Sequence, residues 1–331
     1  MKKTLLLCSV LVVGICVATV AAQTNKANLT WTDPNKAVTE DADFSVQGEY
    51  GLDKKGQAWA VQVVALGDGQ FDAYLLEGGL PGLGWDRKRA RIKLSGARRD
   101  DITSLTSKDG AVKAVIQKGH IAVRRDGARI ADLPRLERKS PTLGAKAPQG
   151  AVILFDGTSA EAWMNGRVEN ALLPNTDITT KEKFSDYKLH LEFRTPYKPY
   201  VRGQGRGNSG VYHQGRYETQ VLDSFGLDGR MNECGGIYTI APSRINMCLP
   251  PLSWQTYDVD FTAARFDAND KVLEHARITV RLNGVVVHQD QALPNTTTAA
   301  PIGKITPAPG PIYIQHHGNP VYYRNIWIVP K

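Results

Sequence analysis

From residue 151 to 329 the chain alternates apolar and polar residues in short runs and nowhere sustains helical spacing. The runs fall at 151–155, 188–195, 209–214, 217–223, 236–240, 255–262, 277–289, 311–317 and 321–329, punctuated by Gly, Pro, Asn and Asp. A period of two sends successive side chains to opposite faces, so each run must lay one face against a second sheet to bury it. Within the seventh run Asn283-Gly284 separates two such stretches, the strongest short-range signal for a hairpin. About ten strands of this kind predict an antiparallel β-sandwich of jelly-roll type. With 42% hydrophobic and 22% charged residues, the 331-residue chain has a globular composition, which excludes collagen, coiled coil and multipass membrane protein.

A smaller β-rich unit precedes the sandwich. Alternating stretches at 58–66, 71–76, 90–94, 111–116 and 121–125 predict a small all-β domain at 23–138. Residues 139–150, with two prolines, two glycines and few bulky apolar side chains, read as the linker to a domain at 151–331. Between Gly84 and Lys139, 16 Lys and Arg stand against 7 Asp and Glu, within a chain of net charge +8. Such an excess suits a solvated basic face or contact with an anionic glycan. Nucleic acid is not an expected partner, because no recognisable binding motif accompanies the charge.

Residues 1–22 begin with Lys2 and Lys3, continue as an apolar run and end on Ala21 and Ala22, the pattern of a secretory signal peptide cleaved after Ala22. Ser9 and Gly14 break the run, which is short for a membrane span. Export, periplasmic or secreted, is therefore expected without stable membrane insertion. Cleavage removes Cys8 and Cys16, and the remaining Cys234 and Cys248 are expected to form a disulfide in an oxidising compartment. No Cys/His cluster has zinc spacing.

Alternation also sorts the polar residues. In the run 188–195, Leu189, Leu191 and Phe193 point one way while His190, Glu192 and Arg194 point the other. Glu218 and Gln220 share a face in 217–223, with Asp223 at the strand end, and Gln315 and His317 share one opposite Ile312, Ile314 and His316. Acidic residues are poor strand formers, so Glu218 on a strand calls for a partner. Trp254, Tyr322, Tyr323 and Trp327 suit sheet packing or a sugar platform. The glycine-rich stretch 203–207 leads into a strand and offers no helix N-terminus to a phosphate. Arg202 and Arg206 are expected instead on a mobile basic lip over a cleft.

The motifs Leu154-Phe155-Asp156-Gly157, Trp163, Leu191-Glu192-Phe193-Arg194, Gly207-Asn208-Ser209-Gly210-Val211-Tyr212 and Tyr217-Glu218-Thr219-Gln220-Val221-Leu222-Asp223-Ser224 follow in order. Trp254-Gln255-Thr256-Tyr257, Leu282-Asn283-Gly284, His317-Gly318-Asn319-Pro320 and Arg324-Asn325-Ile326 complete the set. In this order and spacing, the chain from about residue 150 to its end resembles the 3-keto-disaccharide hydrolase domain (DUF1080). The resemblance implies a concanavalin A-like jelly roll, often exported by bacteria, acting on glycosides whose sugar C3 is a ketone. Glu218-Thr219-Gln220 has an amide where laminarinase-type enzymes of the same sandwich have a second carboxylate, which weakens an ordinary two-carboxylate mechanism.

A C3 ketone acidifies the C2 proton. A base can remove it, the enolate can expel the C1 substituent, and water can then add. On this chemistry Glu218 or His317 is the expected base, and Asp223 or Glu192 assists departure of the leaving group or water addition. Arg324, Asn208 or a bound divalent cation steadies the enolate, while Gln220, Tyr212, Gln315 and Trp254 hold the sugar. No cofactor is required. Glu192, Glu218, Asp223 and His317 offer hard ligands to a divalent cation, although no spacing rule demands one. A non-catalytic glycan-binding module and a conventional glycoside hydrolase are the alternatives, since one sandwich hosts all three.

Overall fold

The computed structural model describes residues 26–331, so the expected leader lies outside the described residues. With 6% helix and 45% strand the protein is nearly all-β. Strands Gly48–Tyr50, Trp59–Gly67, Gln70–Glu77, Arg91–Arg99, Ile102–Ser107, Val112–Gln117, His120–Arg125 and Ala128–Leu136 pair in chain order into a closed antiparallel barrel. The first strand pairs with the last through Glu49 opposite Leu136, which leaves no open edge. Val61, Val63, Phe71, Leu75, Leu94, Leu105, Ile116 and Val123 fill the interior. Ile102–Ser107 escaped the sequence reading because its inward positions are Thr103, Leu105 and Ser107, two of which are polar.

The sandwich pairs two sheets around one core. The smaller runs Trp163–Met164, Ile178–Thr180, Tyr313–His316, Ser209–His213, Tyr217–Val221. The larger runs Leu173–Pro174, Tyr322–Pro330, Tyr187–Arg194, Gln255–Thr262, Ala276–Leu282, Val285–Leu293, with Val152–Phe155 paired to Tyr322–Pro330. Leu189, Leu191, Phe193, Val211, Val221, Ile314, Ile326 and Ile328 meet between them. Asn283 and Gly284 take φ of 51° and 77°, the left-handed pair that closes a two-residue hairpin with the right twist. The stretch 236–240, expected as a strand, is a turn whose Ile237 makes only isolated bridges to Thr219 and Ala241. Among the described residues no helix is long and apolar enough to cross a membrane.

The expected linker at 139–150 is fastened to the outer face of the larger sheet. Ser140 Oγ lies 2.6 Å from Thr256 Oγ1, Thr142 Oγ1 donates to Asp258 Oδ2 at 2.6 Å, and Gly144 N donates to Glu192 Oε1 at 2.6 Å. Part of the basic excess goes into the joint between barrel and sandwich. Arg87 donates to the carbonyls of Ser243 and Arg244 at 2.9 Å, and Arg91 pairs with Asp228 at 2.9 Å, whereas Arg138 closes a buried pair with Glu49 of the barrel itself at 2.6 Å.

Candidate active site on the outer face of the smaller sheet

Ser209–His213 and Tyr217–Val221 send Val211, Tyr217 and Val221 into the core, so Gly210, Tyr212, Glu218 and Gln220 occupy the opposite face. The register sets Glu218 beside Tyr212 and Tyr313, and Gln220 beside Gly210 and Gln315. A Cβ at Gly210 would stand 2.2 Å from Glu218 Oε1, so any larger residue there displaces this carboxyl. Glu218 is only 3% exposed, and Tyr212 Oη donates to its Oε2 at 2.9 Å. Burial disfavours the charged carboxylate and pushes its pKa up to about 7, against the opposing pull of the Tyr212 hydrogen bond. Gln315 Nε2 in turn donates to Tyr212 Oη at 3.2 Å. Tyr313 packs against Tyr212 with the rings tilted by 55° and their centroids 5.2 Å apart, and donates to Asp177 at 2.5 Å.

Three amides extend the site. Gln220 Nε2 donates to Asn208 Oδ1 at 3.0 Å and to Gln204 Oε1 at 3.1 Å, and Asn208 Nδ2 donates to Gln204 Oε1 at 3.0 Å. This arrangement leaves Gln220 Oε1 and a second Asn208 Nδ2 hydrogen for a ligand. Gln204 belongs to a loop that the barrel holds in place. Tyr200 lies so close over Gly67 that a Cβ there would stand 2.4 Å from its ring, and Arg202 Nη2 donates to Leu66 O at 2.9 Å. Arg206, 5% exposed, pairs with Asp223 at 2.6 Å and reaches Ala65 O and Gln47 Oε1. The expectation of a mobile basic lip is thus corrected, because exposed Arg202 is tied to the Leu66 carbonyl of the barrel and Arg206 is buried against Asp223.

His317 is exposed, one residue past the strand Tyr313–His316. Its carbonyl accepts from Asn319 Nδ2 at 2.8 Å, while Asn319 Oδ1 takes Lys198 Nζ at 2.8 Å and Gly207 N at 3.1 Å. Burial lowers the Lys198 pKa, and among the described residues no carboxylate pairs with it. Sequence reasoning missed Lys198, Gln204, Asp177 and Tyr313. The glycines at 203–207 signalled close backbone approach but said nothing of what is approached.

The profile of the 3-keto-alpha-glucoside-1,2-lyase-like domain matches residues 150–329, more than half of the chain. The chain belongs to this family. A Parabacteroides distasonis crystal structure provisionally named a glycosyl hydrolase is 33% identical, with a TM-score of 0.51 over 56% of this chain and 85% of its own. A second from the same organism, also provisionally named a glycosyl hydrolase, is 19% identical, with a TM-score of 0.42 over 55% of this chain and 94% of its own. No curated protein matches.

Within this 3-keto-alpha-glucoside-1,2-lyase-like domain the structure does not gather all the residues expected at one site. Glu192 and Arg324 project from the larger sheet, on the side of the sandwich away from Glu218, because the core lies on the other face of their strands. There Glu192 accepts from Arg324 Nε at 2.6 Å, Asn325 Nδ2 at 2.9 Å and Gly144 N. Burial alone would raise its pKa, but hydrogen bonds from His190, Asn325, Gly144 and Arg324 bring it down to about 2. Trp254 sits on the same side, its ring 4.0 Å from the Arg324 guanidinium and 4.8 Å from that of Arg194. Asp223 is 2% exposed and fully engaged by Arg206 and by Phe225 N at the joint. Glu192→Gln should therefore destabilise the fold by about 1–3 kcal/mol, the cost of charged hydrogen bonds lost at a buried acceptor whose partner Arg324 is itself 36% exposed. Urea unfolding checks this, with turnover of the surviving folded enzyme unchanged.

The four hard ligands expected for a divalent cation do not converge, and among the described residues no three His, Cys, Asp or Glu side chains stand close enough to share an ion. Cys234 and Cys248 are buried free thiols, not a disulfide. The Cys248 thiol is turned to the carbonyls of Leu222 and Leu249, and Cys234 Sγ lies 3.3 Å from Tyr257 Oη.

Proposed function

We propose that this protein is a carbohydrate-active enzyme that cleaves 3-keto-glycosides, with Glu218 as the base that takes the C2 proton. One observation carries the reading: a single buried carboxyl, pushed up to about 7, on a sheet face otherwise furnished with amides, a phenol and an exposed histidine. A pKa near working pH lets one group accept the C2 proton and return it when water adds. The C2–H electrons form the enolate, the C1–O bond breaks, and His317 protonates the departing oxygen. Water then adds at C1 and gives a proton to His317, while Glu218 returns its proton to C2, which restores both groups. Asn208 and Lys198 supply N–H donors at the end of the face where the C3 oxyanion develops, the place first assigned to Arg324. Gln220 Oε1 and Gln315 accept from sugar hydroxyls. The resemblance further suggests that the sandwich is a concanavalin A-like jelly roll and that the mature protein works outside the cytoplasm.

The neighbours of Glu218 on this face disfavour conventional glycosidase chemistry, which needs a second carboxyl about 5–10 Å away. The neighbouring positions hold Tyr212, Tyr313, Gln220 and Gln315, and the further carboxylate on this side, Asp177, is taken up by Tyr313 Oη and His316 N. The discriminating test supplies the mature protein with a nitrophenyl glucoside and with its 3-keto counterpart, with and without a chelator. Nitrophenol is expected from the keto compound alone. Equal release from both would return the reading to ordinary hydrolysis, and release from neither, with glycan still bound, to a binding module.

The proton-accepting role also sets the pH profile. kcat/KM should rise with pH through about 7 as Glu218 ionises. Tyr212→Phe removes the hydrogen bond that lowers this pKa, so the acidic limb should move to higher pH. A limb unmoved by Tyr212→Phe would assign it to another group.

A further inference from the structure

We propose that the cleft at the joint of barrel and sandwich is a pyranose-binding site, separate from the face that carries Glu218. The cleft, about 300 Å³, lies between the helices Pro34–Glu40 and Ala42–Val46, the barrel exit at 135–139 and the loop 250–254. That volume is at the lower end of clefts that hold small ligands. None of the residues lining it contributes to the amide, phenol and carboxyl constellation around Glu218.

Two aromatic side chains, Phe44 and Trp254, form part of its wall, together with Pro250 and Pro251. Trp254 is fixed in place by the two guanidiniums on its ring. A rigid, half-buried indole offers the flat apolar surface on which the C–H face of a sugar ring packs.

The polar half of the argument comes from unpaired atoms. Among the described residues only four buried side-chain polar atoms lack a hydrogen-bond partner: Gln47 Nε2, Arg194 Nε, Thr195 Oγ1 and Thr103 Oγ1. One of the four, Gln47 Nε2, belongs to a residue that lines the cleft and is 1% exposed. Arg194, a second of them, lies behind the wall with its guanidinium stacked on Trp254. The Gln47 amide cannot simply be turned round, because its Oε1 accepts from Ala65 N at 3.1 Å and Arg206 Nη2 at 3.4 Å. A buried donor left without a partner is costly unless something supplies an acceptor. A ligand with an apolar face and a rim of hydroxyls meets both needs, and a pyranose is such a ligand. Lys139 at the cleft is exposed and unpaired among the described residues, whereas Arg135 and Arg138 are neutralised by Glu137 and Glu49. One free cation favours a sugar that carries a carboxylate over a neutral one.

Hydrogen exchange on the full mature chain, with cellobiose or digalacturonate at tens of millimolar, tests the site. Segments 34–47 and 250–254 should exchange at least about twofold more slowly with sugar, more so with digalacturonate, and Lys139→Ala should erase the difference between the two. Trp254→Ala risks the packing of two arginines, so the decisive variant is Val38→Trp. Val38 is 54% exposed at the cleft, and a large ring there fills the opening without removing a buried contact. Loss of the slowing in Val38→Trp supports the site. Slowing confined to 204–220 belongs to the Glu218 face and overturns the proposal, as does no slowing with either sugar or slowing that survives in Val38→Trp. None of these readouts depends on turnover of a 3-keto substrate.

Discussion

Glu218→Gln is expected to fold and to release nitrophenol from a 3-keto-glucoside about 10³-fold more slowly than the parent, the loss typical of removing a positioned base. The same substitution should stabilise the protein at alkaline pH. The folded-state pKa, about 7, lies above the ordinary 4.5, so the folded protein holds this proton more tightly than the unfolded chain does. The associated stability is complete below about 4.5, falls as pH rises, and is gone above about 7, a swing of about 3 kcal/mol. Glutamine carries no charge at any pH and escapes the penalty. Thermal melts should place the variant above the parent at pH 8, with the gap closing towards pH 5. Opposite movement of activity and stability is the mark of a group kept for chemistry at a structural cost. A variant that melted below the parent at pH 8 and kept full turnover would remove Glu218 from the site.

Asp223→Ala should do the reverse: a loss of about 3–5 kcal/mol in urea unfolding, with turnover impaired only through the loop. Asp223 is the one carboxylate paired with Arg206, whose side chain is buried between strand Tyr217–Val221 and the barrel carbonyl of Ala65. Truncating the acid leaves a guanidinium in a site where water cannot replace the carboxylate. Because Arg206 adjoins Gly207 and Asn208, the amide cluster at Gln220 should loosen, which raises KM more than it lowers kcat. An Asp223→Ala protein with an unchanged unfolding midpoint and no turnover would restore the catalytic role that the sequence suggested.

These two carboxylates show where sequence reasoning ends. Glu218 with Gln220, and Gln315 with His317, were each legible as sharing a face, because alternation along a strand is a local property of the backbone; the pairing of Gly210 with Gln315 that joins them is long-range. Glu192 carries the same local signal as Glu218, an acid flanked by inward-facing positions on a strand, yet its partner Arg324 lies 132 residues away and its sheet is the other one. Nothing within the run 188–195 states which of two sheets it joins. The arginines were equally silent: Arg87 and Arg91 read as a basic surface and are the bolts of a joint, and Arg138 is taken up by Glu49 of the barrel.

The sequence by itself determined the β character, the strand faces, the Asn283-Gly284 hairpin and the resemblance that leads to 3-keto-glycoside chemistry. All of these rest on residues close together in the chain. Only the tertiary structure decided that the barrel closes, that residues 139–150 are a strap rather than a free linker, and that Glu192 and Asp223 are paired with Arg324 and Arg206 while Glu218 is left beside amides. Those outcomes depend on pairings between distant segments, whose energy comes from burying both partners together, and a single strand's pattern contains only half of each pair.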